Sequence, residues 1–128
     1  MIYVDSSVAL AEVFGESRRP PREFWDLDLV ASRLTDLEMR LRAAATGQAE
    51  RFLSVVDQIA GCISFIEIEP ASVELIYAGG TRGLRTLDAI HLATLAHFNS
   101  APGGTELATY DRRLATAAHA MGFPVIVP

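Results

Sequence analysis

The sequence predicts an α/β fold, a mostly parallel sheet of four to five strands sandwiched between helices on both faces. Three observations predict it. Short apolar, β-branched runs alternate with longer stretches that carry helix start and stop signals. Half of the residues are apolar, enough for a continuous core. The length of 128 residues suits one compact unit, so residues 1–128 are read as a single domain.

Met1–Val4 is a short apolar run closing on Asp5 and reads as a buried strand. Ser6 or Ser7 then caps a helix through Val8, Leu10, Ala11 and Phe14, and Gly15 ends it. Pro20-Pro21 opens a second short helix carrying Phe24, Trp25 and Leu27, because proline is tolerated in a first turn. Leu29–Ala31 reads as the second strand. Thr35 is expected to cap a long helix from Asp36 to about Thr46, with Gly47 as its stop. From Gln48 to Ala60, Phe52, Val55, Val56 and Ile59 recur at spacings of three and four, which gives one apolar helix face.

Cys62–Ile68 is continuously apolar except for Ser64 and Glu67 and predicts a third, buried strand, with Cys62 a small buried hydrophobe at its start. A helix begins at Pro70 and stops at Gly79-Gly80. Thr86 to Phe98 is apolar nearly all round, the mark of a buried helix. A loop at Asn99–Gly104 leads to a strand at Glu106–Thr109. Asp111 starts the last helix, with Leu114, Ala117, Ala118 and Met121 on one face, and Gly122 caps its end before a strand at Pro124–Val127.

Composition excludes several functions. One cysteine allows neither an internal disulfide nor a cysteine-based zinc site. No apolar run approaches the ~18 residues of a membrane span. Asp5 and Glu12 stand where a signal peptide needs a basic stretch and an apolar run, so a cytoplasmic location is expected. A net charge of −5 argues against nucleic-acid binding by bulk attraction. All 11 basic residues are arginine, which removes every lysine chemistry, from P-loops to Schiff bases.

Four acids remain: Asp5, Glu38, Asp88 and Asp111. Each has a structural explanation of its own. Thr35-Asp36-Leu37-Glu38 is a capping-box pattern, Asp88 favours the dipole of a first helical turn, Asp111 is a natural N-cap, and Asp5 can end a strand. Their positions point further. Asp5 and Asp111 follow strands while Glu38 and Asp88 open helices, and in a parallel sheet those places share the rim where ligands bind. Two carboxylates ~5 Å apart repel by roughly 3 kcal/mol at an effective dielectric near 20. A cluster of four therefore calls for protons, cations or a basic partner. Without lysine or a second cysteine nearby, hard oxygen donors suit Mg²⁺ or Mn²⁺, one or two ions.

At these residues the chain resembles the PIN-domain family, and within it the VapC-type toxins of bacterial toxin–antitoxin pairs. The resemblance runs from Ile2-Tyr3-Val4-Asp5-Ser6-Ser7 and Ser32 with Thr35-Asp36-Leu37-Glu38 to Leu84-Arg85-Thr86-Leu87-Asp88-Ala89-Ile90-His91-Leu92-Ala93 and Thr109-Tyr110-Asp111-Arg112-Arg113-Leu114. It implies a PIN-like sandwich and a metal-dependent endoribonuclease that leaves a 5′-phosphate and a 3′-hydroxyl. It implies Asp5 as central metal ligand, with Asp88 and Asp111 completing the shell and Glu38 binding a second metal or orienting water. Ser6 and Thr109 match small polar supporting positions, and Ser7 serves as well as Ser6. The family's antitoxins commonly block the site with an arginine- or lysine-bearing segment, and homodimers are expected.

RNA has to approach an acidic pocket. Arg85 beside Asp88, and Arg112 and Arg113 beside Asp111, are the candidates to hold its phosphates, or else solvated charges at helix ends. Arg18, Arg19 and Arg22 read as surface charge, and Phe24 and Trp25 as cover for the core or a partner groove. His91, one turn after Asp88, reads as a hydrogen-bonded core residue, and His97 and His119 as surface or helix-end groups. Three rival readings compete. A nuclease for DNA flaps lacks a clamp for branched duplex. A non-catalytic module binding a basic peptide would tolerate loss of an acid, and none is lost. An aspartate-nucleophile phosphotransferase requires Asp where Ser7 stands.

Overall fold

The computed structural model describes residues 1–99 and 104–128; positions 100–103 of the loop expected at Asn99–Gly104 lie outside the described residues. Its strands are β1 (Ile2–Val4), β2 (Leu29–Ser32), β3 (Ile63–Ile66), β4 (Glu106–Ala108) and β5 (Val125–Ile126). They form one sheet in the order β3-β2-β1-β4-β5, and every neighbouring pair is parallel. The predicted fold class is therefore the observed one.

Parallel neighbours need crossovers, and helices supply them. These are α1 (Ser6–Val13), α2 (Arg33–Ala44), α3 (Ala49–Ala60), α4 (Pro70–Tyr77), α5 (Thr86–Phe98) and α6 (Arg112–Ala120). Because successive strand residues face opposite sides, the core divides in two. Val4, Leu29, Ala31 and Ala108 pack with Val8, Met39 and Val56 of the first three helices. Tyr3, Val30 and Leu107 face the other way, onto Leu92 and Leu95 of α5 and Leu114 and Ala118 of α6. Burial of each large apolar side chain contributes ~1.5–3 kcal/mol, which fixes the strand register.

Five local expectations are corrected. Asp5 itself, and neither serine, is the N-cap of α1, its carboxylate accepting from the Ser7 backbone. The long helix starts earlier than expected: Ser32 caps α2 by accepting from Leu34 N–H. Thr35 therefore lies inside the helix, fully buried, and no capping box forms with Glu38. The segment after Pro21 is a single 3₁₀ stretch, Arg22–Asp26. Cys62 is exposed and precedes β3. That strand is an edge of the sheet, so only Ile63 is buried and the run read as a core strand is half open to solvent.

Candidate active site

Chain order reverses at β1. Strands β2 and β3 extend from one side, while β4 and β5 continue on the other. The carboxyl ends of β1 and β4 therefore meet at the crevice where parallel α/β sheets bind ligands. Val4 pairs with Ala108, and Asp5 N–H donates to Ala108 C=O at 3.0 Å. The residues that follow on both strands carry the acids.

Asp5, Glu38, Asp88 and Asp111 line one cavity of about 430 Å³, together with Ser6, Ser7, His91, Arg42 and Arg85. Asp5 is 4% exposed. Its Oδ2 accepts from Ser7 N–H (3.1 Å), Ser7 Oγ (2.5 Å) and Thr109 Oγ1 (2.9 Å). Thr109 Oγ1 in turn accepts from Asp111 N–H at 2.9 Å, so one buried hydroxyl couples the two strand ends. Oδ1 of Asp5 stands 3.8 Å from His91 Nε2. Ser7 thus bonds Asp5, and Ser6 Oγ donates to Glu38 Oε2.

Glu38 lies in the second turn of α2 and is reached across the sheet by His91, whose Nε2 stands 3.2 Å from its Oε2. Burial raises its pKa, but the hydrogen bonds from His91 and Ser6, with the charge of Arg42, outweigh burial and hold the carboxyl below its ordinary value. Asp88, in the first turn of α5, moves the other way. Burial pushes it up, and the charges of Asp111 and Asp5 add to that. Asp111 is the N-cap of α6, its Oδ1 accepting from Arg113 N–H (2.7 Å) and Leu114 N–H (3.2 Å). Among the described residues, no three His, Cys, Asp or Glu side chains close up into a ready-made metal cage. The donor set is nonetheless of the kind a divalent ion fits: hard carboxylate oxygens on one cavity, two of them repelling a third.

The arginines divide. Arg85 borders the acidic cavity. Arg112 and Arg113 line a separate cleft of about 510 Å³ with Arg82, Leu84 and Ala117. Arg18 stacks on the Tyr110 ring at 4.6 Å, and Phe24 is core with Trp25 packed on it edge to face. Arg42 and Arg82 carry no role in the sequence reading. Arg42 lies one helical turn after Glu38, a spacing that could have shown it; Arg82 joins Arg112 and Arg113 only in the fold.

A PIN domain family model matches residues 2–120. Ribonuclease VapC35 of Mycobacterium tuberculosis is 31% identical over 133 aligned residues, covering 100% of this chain and 97% of that protein. The fold is similar to that of one chain in a DNA-bound VapBC structure from Salmonella typhimurium, with a TM-score of 0.73, 16% identity and coverage of 98% and 96% of the two chains. FitAcB from Neisseria gonorrhoeae gives a TM-score of 0.71 at 20% identity, covering 100% and 98%. The chain therefore belongs to the PIN domain family, in its VapC-type branch.

Proposed function

We propose that this protein is a divalent-metal-dependent endoribonuclease and the toxin of a toxin–antitoxin pair. One observation carries the reading: four carboxylates from four elements, at residues 5, 38, 88 and 111, line a single cavity at the point where strand order reverses. The similarity to a curated ribonuclease over the whole chain supports the substrate class.

Asp5, Asp88 and Asp111 would hold a Mg²⁺ or Mn²⁺ ion, and Glu38 a second ion or the attacking water. A bound ion supplies an activated water at neutral pH and offsets charge on the scissile phosphate. The protein's own contribution is orientation. Ser7 and Thr109 tie one oxygen of Asp5 inward. The Asp111 cap fixes that side chain at the mouth of α6. Arg85 stands on the rim, where its guanidinium can take a phosphate in two parallel hydrogen bonds. Arg112 and Arg113, with Arg82, give the strand leaving the cavity a second cationic foothold.

The antitoxin would cap this cavity with a basic side chain, and a homodimer is the expected assembly; the likeness to VapBC structures supports an antitoxin partner. Purified free of any partner, the protein should cleave RNA with Mg²⁺ or Mn²⁺ and stop in chelator. Asp5→Asn and Asp88→Asn should abolish cleavage while the chain stays folded by circular dichroism. Wild-type rates in either variant would discard the assignment. Metal binding without cleavage of any RNA would favour the inert peptide-binding module.

A further inference from the structure

His91 is only 2% exposed, yet it touches the acidic cavity, and the reaction outlined above gives it no task. Four contacts surround its ring. Nδ1 lies 3.2 Å from the Tyr3 hydroxyl. Nε2 lies 3.0 Å from Ser6 Oγ, 3.2 Å from Glu38 Oε2 and 3.8 Å from Asp5 Oδ1. These partners reach it from β1, α1 and α2, three elements remote in sequence from α5.

The chemistry of the partners assigns the hydrogens. A carboxylate only accepts, so Ser6 Oγ donates its single hydrogen to Glu38 Oε2. That leaves the lone pairs of Ser6 facing Nε2. Both near neighbours of Nε2 are then acceptors, and Nε2 must carry a hydrogen. In the neutral ring Nδ1 is then the acceptor, and Tyr3 donates to it. Tyr3 is fully buried and its ring meets the imidazole edge-on at 6.2 Å. Its hydroxyl keeps its hydrogen, because burial and the Asp5 charge both oppose ionisation.

We infer that Tyr3 and His91 form a buried positioning relay that holds His91 as the Nε2–H tautomer and thereby fixes Ser6 and the inward oxygen of Glu38, leaving the outward oxygen to the cavity. A histidine's tautomer is tied to the bonds of both its nitrogens, and here Tyr3 secures from the opposite side of the ring what the acceptors at Nε2 require. Without the Tyr3 hydrogen, Nδ1 has no donor and the ring loses its anchor, so the Nε2–H bond and with it Glu38 lose their orientation. The consequence for catalysis rests on the nuclease reading; the tautomer does not.

The experiment combines ¹⁵N-resolved NMR of the imidazole with metal-titrated cleavage. In the wild-type protein, His91 should give an Nε2–H signal and an unprotonated Nδ1, with no RNA present. Tyr3→Phe keeps the ring but removes the donor, and should shift the Nδ1 resonance and speed solvent exchange of the Nε2 hydrogen. In the same variant the Mg²⁺ concentration for half-maximal cleavage should rise ~10–100-fold with KM for RNA unchanged, as loss of groups behind metal ligands does. His91→Gln, whose amide can reach the Nε2 position, should recover most of the rate that His91→Leu loses. An Nδ1–H tautomer in the wild-type protein overturns the relay outright, whatever the variants do. So does a Tyr3→Phe protein with wild-type Nδ1 and Nε2–H signals and wild-type Mg²⁺ dependence. Correct tautomers in a wild-type protein that cuts no RNA would instead sink the nuclease reading alone.

Discussion

Asp5 and Glu38 each have one carboxylate oxygen held by hydroxyls and N–H groups of the surrounding fold, whereas no hydrogen bond to Asp88 is found among the described residues and Asp111 is held only through the backbone it caps. The pKa directions follow the same division: Glu38 is lowered by its partners, Asp88 raised by burial and by its acidic neighbours. One half of the cavity is pre-set by the fold, and the other keeps unrelieved repulsion. A cation entering the cavity gains least from reorganising the first half and most from relieving the second.

Asp88→Asn tests this division most severely. It removes charge that the folded chain disfavours, so in metal-free buffer its Tm should equal or exceed the wild-type value. A saturating ion stabilises whatever binds it, by roughly 2.7 kcal/mol at about one hundred times Kd. Mg²⁺ should therefore raise the Tm of the wild-type protein and leave that of Asp88→Asn unmoved. A drop in metal-free Tm would remove the contrast between the two halves.

Thr109→Val acts on the pre-set half. It deletes the hydrogen bond to Asp5 and the acceptor for Asp111 N–H together, which should cost ~1–3 kcal/mol of stability and ~10–100-fold in metal affinity, read by calorimetry and urea melts. Equal stability of the Thr109→Val and wild-type proteins would mean that the hydroxyl couples nothing. The smallest effect is expected outside the cavity. Arg112→Gln with Arg113→Gln should raise KM for RNA several-fold, flatten its salt dependence and leave the melting temperature alone, because both side chains are exposed. An unchanged salt slope would show that the cleft at Arg82 carries no strand.

The sheet and the order of its helices were legible because each strand is a short apolar run and most helices have their own stop residue. The four acids were legible because they sit directly after strands or in early helical turns. What escaped has one physical cause. Ser32 and Thr35 are equally good caps on paper, and only the burial of Thr35 beside Ser6, at 3.3 Å between hydroxyls, decides between them. The apolar stretch from Cys62 reads the same for a central strand and an edge strand, since periodicity does not say how many neighbours a strand will have. His91 is hydrogen-bonded in the core as expected, but its partners stand 53, 85 and 88 positions away, beyond any local pattern.

Because β1 is bordered by β4, Asp5 leaves the ribosome long before Thr109 and Asp111, the residues that complete its surroundings. A chain that ends ahead of β4 lacks both the Thr109 hydroxyl that holds Asp5 and the Asp111 carboxylate of the cavity. For a protein proposed to cut RNA, the acidic site is complete only once both ends of the chain have been made and brought together.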